Sequence, residues 1–110
     1  MAEDVDVLPG TLEFLLLKAL TWGPRHGYAI ARWLRDTSGE ELSVEEGALY
    51  PALHRLERRG LVSGRWGRSE HNHRVKQYTL TDAGRRELQR QMASWARYVG
   101  IVDRVLEADA

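Results

Sequence analysis

Tyr50, His54 and Arg58 recur at four-residue intervals. On a helix they form one row: an aromatic hydroxyl, an imidazole and a guanidinium. Gly47 and Pro51 belong to the same face, Arg55 and Arg59 lie at its margins, and no acid falls on it, although Glu45, Glu46 and Glu57 are close in sequence. The chemistry on offer is hydrogen bonding and ion pairing. Tyr50 and His54 can meet base edges or phosphates, and Arg58 can pair with phosphate or take guanine bidentately. The same face is also that of a solvated amphipathic helix with a basic rim.

A second polar group follows in Arg65, Arg68, His71, Asn72, His73, Arg74 and Lys76. Placed on a hairpin after the helix, these side chains suit a wing that tracks a nucleic-acid backbone or minor groove. Glu70 runs against that reading, and Asn72 serves equally well as a turn residue. The charge distribution supports the pairing of helix and hairpin. The 110-residue chain has no net charge, yet residues 1–46 hold four basic against nine acidic side chains, while residues 47–76 hold seven against two. A neutral average therefore hides a basic middle third, the footprint that an anionic polymer requires.

Other chemistries lack their parts. There is no cysteine, which removes disulfides and thiolate metal sites. His71 and His73 form an H-x-H pair without the three or four converging ligands of a zinc site. The acid pairs Glu40-Glu41 and Glu45-Glu46 fall at a loop and a helix start, where the helix dipole and solvation account for them. No phosphate loop, dinucleotide fingerprint or nucleophile elbow is present. The reading is of a non-enzyme without metal or cofactor. The longest apolar run, TLEFLLLKALTW, is too short for a membrane span and carries Glu13 and Lys18. The start, MAEDVDVLPG, is acidic, unlike a secretory or transit peptide. These features imply a soluble cytoplasmic protein with no membrane partner.

The elements that must hold these residues can be read in order. Thr11 is placed to cap a helix over about 12–21, apolar nearly all round and so buried. Trp22-Gly23-Pro24 ends it. A second helix runs over 27–37, with Ile30, Trp33 and Leu34 on one face. Ser43 and Glu46 form a capping-box pattern ahead of the third helix, in which Leu49, Leu53 and Leu56 face the core and Pro51 removes one hydrogen bond. Gly60 stops it. Strands over 61–66 and 75–80 follow, with Val62, Trp66, Tyr78 and Leu80 on the buried face. Trp22, Trp33 and Trp66 read as core. Thr81-Asp82 then starts a helix of about 25 residues. The fold class is mainly α with a small β-hairpin: a winged helix-turn-helix over 1–80 and a C-terminal dimerisation helix over 81–110.

In that last helix Leu88, Met92, Trp95, Val99, Val102 and Leu106 repeat at alternating steps of four and three, an a/d seam. Tyr98, Ile101 and Val105 widen the stripe beyond what a lone helix hides, so a second copy is expected across it, the alternative being a helix folded back on its own domain. Trp95 either packs that interface or lines a pocket for a flat apolar effector.

Three ordered segments, HGYAIARWL, GALYPALHRLERRGLV and KQYTLTDAGRREL, closely resemble the PadR family of bacterial transcriptional regulators, and the resemblance spans roughly Leu8 to Leu106. The short length resembles the branch with a single C-terminal helix. The resemblance implies a homodimer that binds an inverted repeat in double-stranded DNA, usually as a repressor, and in parts of the family a small aromatic or lipophilic effector. By position it makes Tyr50 the recognition-helix tyrosine and Arg74 and Lys76 the wing bases. The wing GRSEHNHRVKQY departs from the family pattern in being longer and richer in His and Asn. The candidate DNA contacts are thus Tyr50, His54, Arg55, Arg58, Arg68, His73, Arg74 and Lys76. A winged-helix protein-interaction module and a small-molecule sensor are the competing readings.

Overall fold

Gly60 turns the chain at φ +73°, and around it the two halves of the molecule are joined. It follows α3, Glu46–Arg58, as the glycine of a Schellman motif: Leu61 N–H donates to Leu56 O at 2.9 Å and Gly60 N–H to Glu57 O at 3.0 Å. The computed structural model describes residues 5–109, so the acidic start lies partly outside the described residues. Ahead of α3 stand β1 (Val5–Asp6), α1 (Leu12–Ala19), β2 (Arg25–His26), α2 (Gly27–Thr37) and β3 (Leu42–Ser43). After it come β4 (Val62–Arg68), β5 (Arg74–Leu80) and α4 (Asp82–Leu106).

The hairpin β4–β5 is antiparallel, with Val62 opposite Leu80, Gly64 opposite Tyr78 and Trp66 opposite Lys76. The short β2 adds to β5 through Arg25–Tyr78 and His26–Gln77, giving a three-stranded sheet in the order β2-β5-β4. Two residues are too few to show strand alternation, so this third strand was not foreseeable from periodicity. A parallel pair of Val5–Asp6 with Leu42–Ser43 also forms. It occupies the backbone of Ser43, and α3 starts two residues later than a capping box at Ser43 requires. The helix begins from Glu45 with no side-chain cap. Thr11 likewise sits at the N-cap of α1 without capping it, because its hydroxyl donates to Leu8 O at 2.8 Å.

Leucine dominates the core. Leu16, Leu17 and Leu20 from α1 meet Ile30 and Leu34 from α2 and Leu49, Leu53 and Leu56 from α3, all buried as the helical spacing demands. Val62, Tyr78 and Leu80 close it from the sheet. The tryptophans divide differently from expectation. Trp33 packs against the core from its edge, whereas Trp22 is 64% exposed and Trp66 56%. Trp22 follows the end of α1 and packs on Trp33 from outside, ring centroids 5.5 Å apart and planes tilted by 45°. Trp66 has the strand parity of Val62, but β4 has by then run past the core, so correct parity does not bury it.

Thr81 fastens α4 to this body. Its hydroxyl donates to Gly60 O at 2.7 Å and accepts from Gly84 N–H at 3.0 Å, while its own N–H donates to Leu61 O at 3.1 Å. Gly84 packs directly on that Leu61 carbonyl, and a Cβ there would overlap it. Leu88, one turn on, is only 3% exposed. It belongs to the domain's own core, because the first two turns of α4 lie against the domain, and the stripe expected to meet a second copy is left to the residues that follow it. A polar network reinforces the joint. Glu13 on α1 accepts from Arg59 at 3.1 Å, Arg59 reaches Glu87 on α4 at 3.7 Å, and Glu87 is held bidentately by Arg90 and by Gln91. The Arg90 hydrogen bond foremost, then Gln91, brings the Glu87 carboxyl down to about 2 from an ordinary 4.5.

Two outcomes follow from this joint. Gly84→Ala must push the first turn of α4 off a backbone carbonyl, and chemical denaturation should show a loss of about 1–3 kcal/mol or more. Glu87 has a depressed pKa, so its contribution is present above about 4.5 and fades as the pH falls towards 2. Glu87→Gln should melt earlier than the parent at neutral pH, and the gap should close on acidification through that window.

Candidate nucleic-acid interface

The outer face of α3 is the centre of the site. The buried leucines fix the helix azimuth, which leaves Gly47, Tyr50, Pro51, His54 and Arg58 on the exposed side. Pro51 has no N–H for the Gly47 carbonyl four residues back, so that acceptor is left on the outer face. Tyr50, Pro51, His54, Arg55 and Arg58 together line a shallow concavity.

Beside the helix stands the β4–β5 hairpin, with a cavity of about 580 Å³ between them, walled by Tyr28, Tyr50, His54, Trp66, Arg74 and Tyr78 among others. Burial foremost pushes the Tyr78 phenol up, so it stays protonated at neutral pH. The Arg74 guanidinium lies 4.3 Å over the Trp66 ring, a cation–π contact that uses the tryptophan's exposure. Arg74 is also directly opposite Arg68 in the ladder. Like charges facing each other across a strand pair are destabilising unless an anion sits between or over them. Arg68 finds partial relief by donating to Asn72 O at 3.1 Å.

That carbonyl belongs to the hairpin turn. Ser69 N–H donates to His73 O, Asn72 N–H to Ser69 O and His73 N–H to the Ser69 hydroxyl. Asn72 adopts φ +60°, a left-handed conformation that asparagine tolerates. Of its two roles left open by the sequence, the turn is the one it takes. His71 and His73 are exposed near the tip, and among the described residues no three potential metal ligands gather.

Two sequence candidates are engaged elsewhere. Lys76 points back to α3 and pairs with Glu57 at 2.8 Å. Arg55 pairs with Glu13 at 3.4 Å on the α1 side of the helix. Tyr50, His54, Arg58, Arg68, His73 and Arg74 remain gathered on the helix face and hairpin. The structure adds residues that periodicity had not singled out. Tyr28, in the first turn of α2, is exposed and stacks at 6.4 Å on His26, whose ring caps α2 by accepting from Ala29 N–H. Gly27 between them leaves room for Tyr50, since a Cβ there would lie 2.6 Å from Cε1 of its ring. The signal for all three was the HGY triplet itself.

Beyond the domain, α4 carries Met92, Trp95, Tyr98, Ile101, Val105 and Leu106 exposed, with Tyr98 at 62% and Val105 at 69%. Val99 and Val102 are half-buried. Trp95 lies 6.0 Å from Phe14 of α1. Among the described residues no helix is long and apolar enough to cross a membrane.

Three helices, a three-stranded antiparallel sheet whose hairpin flanks the third helix, and an appended long helix define a winged helix-turn-helix protein. The family model described as the transcriptional regulator PadR-like family matches residues 16–90, and the chain belongs to that family of transcriptional regulators. A PadR family transcriptional regulator from Eggerthella lenta is 34% identical and superposes with a TM-score of 0.79, covering 91% of this chain and 85% of its own. A PadR family regulator from Clostridium difficile is 27% identical with a TM-score of 0.75, over 88% of this chain and 99% of its own. The negative transcriptional regulator PadR of Bacillus subtilis is 31% identical over 77 residues, 70% of this chain and 42% of that protein. This chain therefore spans less than half the length of the Bacillus regulator.

Proposed function

We propose that this regulator is a cytoplasmic, sequence-specific repressor that binds an inverted repeat in double-stranded DNA as a homodimer. Residues 1–80 read the duplex and residues 81–110 join the two copies. The observation that carries the reading is the opposed Arg68–Arg74 pair, set on the hairpin beside the exposed Tyr50, His54 and Arg58 row of α3. Repulsion built into a strand pair at that position makes sense against a polyanion. In this reading α3 enters the major groove, Tyr50 and His54 meet base edges, Arg58 takes guanine or phosphate, and Arg68, His73 and Arg74 follow the flanking backbone.

The dimer rests on the uncovered stripe of α4. Met92, Trp95, Val99, Val102 and Leu106 keep the a/d spacing after Leu88 is withdrawn into the core, and an apolar stripe of this kind is hidden by a second copy. A small flat aromatic or lipophilic effector beside Trp95 is the second reading. It is favoured by a concavity of about 610 Å³ in which Phe14, Trp95 and Tyr98 supply aromatic walls.

Titration of the protein on its own promoter region and on scrambled DNA, at two salt concentrations, tests the first reading. The promoter should be preferred. Tyr50→Ala or His54→Ala should lower that preference by about 1–3 kcal/mol. Arg74→Ala should weaken both complexes and reduce the salt slope by about one unit. Equal, weak binding to both DNAs would leave a basic patch only and favour a protein-interaction module. For the dimer, Ile101→Asp should convert a two-fold species to monomer in sedimentation equilibrium, and a monomeric parent protein would refute the stripe's role. Saturable quenching by planar aromatics that is lost in Trp95→Phe would support the effector site.

A further inference from the structure

We infer that Glu57 is a positioning residue for DNA recognition, gripping Lys76 so that the wing is held at a set angle to the helix that reads bases. The inference rests on the DNA-binding reading above and adds a residue that touches no DNA. Three elements meet at the grip. Glu57 projects from α3, Lys76 from β5, and Gly64 lies diagonal to Lys76 on β4. The Lys76 ammonium donates to Glu57 Oε1 at 2.8 Å, and Gly64 lies close against the same carboxylate. The pair perturbs both partners. The Lys76 hydrogen bond holds the Glu57 carboxyl below the ordinary carboxylate range and pushes the Lys76 ammonium up.

Gly64 supplies an independent sign that this space is reserved. A Cβ there would overlap Lys76 Cε and stand 2.8 Å from Glu57 Oε2. Both obstructing atoms are side-chain ends, so an alanine would part the pair while leaving the backbone of the sheet in place.

The place of the grip decides what it does. On α3, Glu57 comes three residues after His54 and seven after Tyr50, so it shares their rigid helix. On β5, Lys76 is two residues from Arg74 and on the same sheet face. The grip thus connects base-reading and backbone-following groups through one short link. Past the Trp66–Lys76 level the hairpin runs on to the Ser69–His73 turn, mostly exposed. At about 3.3 Å per residue the tip stands roughly 15 Å beyond the grip, so a small rotation there moves the tip by ångströms. Lys76 paired in this way adds no net charge to the wing, which is why its loss should not resemble that of a phosphate contact.

The test compares Glu57→Gln, Lys76→Met and Gly64→Ala in promoter and scrambled-DNA titrations at two salt concentrations. Each should lower the preference for promoter on the order of tenfold, with the salt slope unchanged, and Glu57→Gln combined with Lys76→Met should be no worse than either alone. Gly64→Ala discriminates most sharply because it alters no charge. The reversed pair Glu57→Lys with Lys76→Glu should regain preference that each reversal alone loses, which separates positioning from a folding defect. Lys76→Met that weakens both DNAs alike and lowers the salt slope by one would make Lys76 a phosphate contact and overturn the inference. Tighter binding of both DNAs by Glu57→Gln would make Glu57 a mere masking charge and overturn it too. A parent protein with no promoter preference would instead sink the DNA-binding reading. The grip would then be read without DNA, by faster amide exchange across Val62–Arg68 in Glu57→Gln, and unchanged exchange would refute it.

Discussion

Everything in this molecule turns on the carbonyl of Leu61. It lies where α3 has just ended and the hairpin is about to begin, and the chain returns to it when the hairpin ends and α4 begins. Thr81 bonds to it, Gly84 lies against it, and Gly60 gives the preceding turn its left-handed geometry. One backbone group thereby fixes three relationships: recognition helix to wing, wing to long helix, and long helix to core. A buried acceptor satisfied in this way is costly to disturb, so the joint is stiff. The polar chain Glu13–Arg59–Glu87–Arg90 runs over the outside of the same joint and binds α1 into it.

Much of this architecture was legible in the residues. The leucine spacing of α3 determines which side is buried, so its exposed row followed directly once a helix was assumed. Tyr78, Leu80 and Val62 followed from strand parity, and the start of α4 from Thr81-Asp82. What stayed hidden depends on distances between elements. Parity says which sheet face Trp66 shares, but not that β4 outruns the core before reaching it. Heptad spacing groups Leu88 with Met92, but not where the domain stops covering α4. Ser43 and Glu46 have capping chemistry, yet a two-residue strand pairing with Val5–Asp6, remote in sequence, takes Ser43 instead.

The candidate site shows the same division. Residue type made Arg55, Arg58, Arg68, Arg74 and Lys76 equivalent bases, and only packing separates them. Arg55 and Lys76 each meet a carboxylate from another element, at Glu13 and Glu57, and neither partner is a sequence neighbour. The remaining bases are left towards solvent on one side of the domain. The charge that is segregated along the chain, acidic before α3 and basic after its start, is partly neutralised across elements by Glu13 and Glu57, and the whole stays neutral.

Gly27 carries an implication for how such a protein can diversify. Its missing side chain is the room in which the Tyr50 ring rests, so the setting of this exposed tyrosine is shaped by a buried neighbour on another helix. A lineage can therefore re-aim the tyrosine by altering position 27, leaving the exposed surface chemically intact. Within this scaffold, divergence of targets need not begin at the residues that make contact.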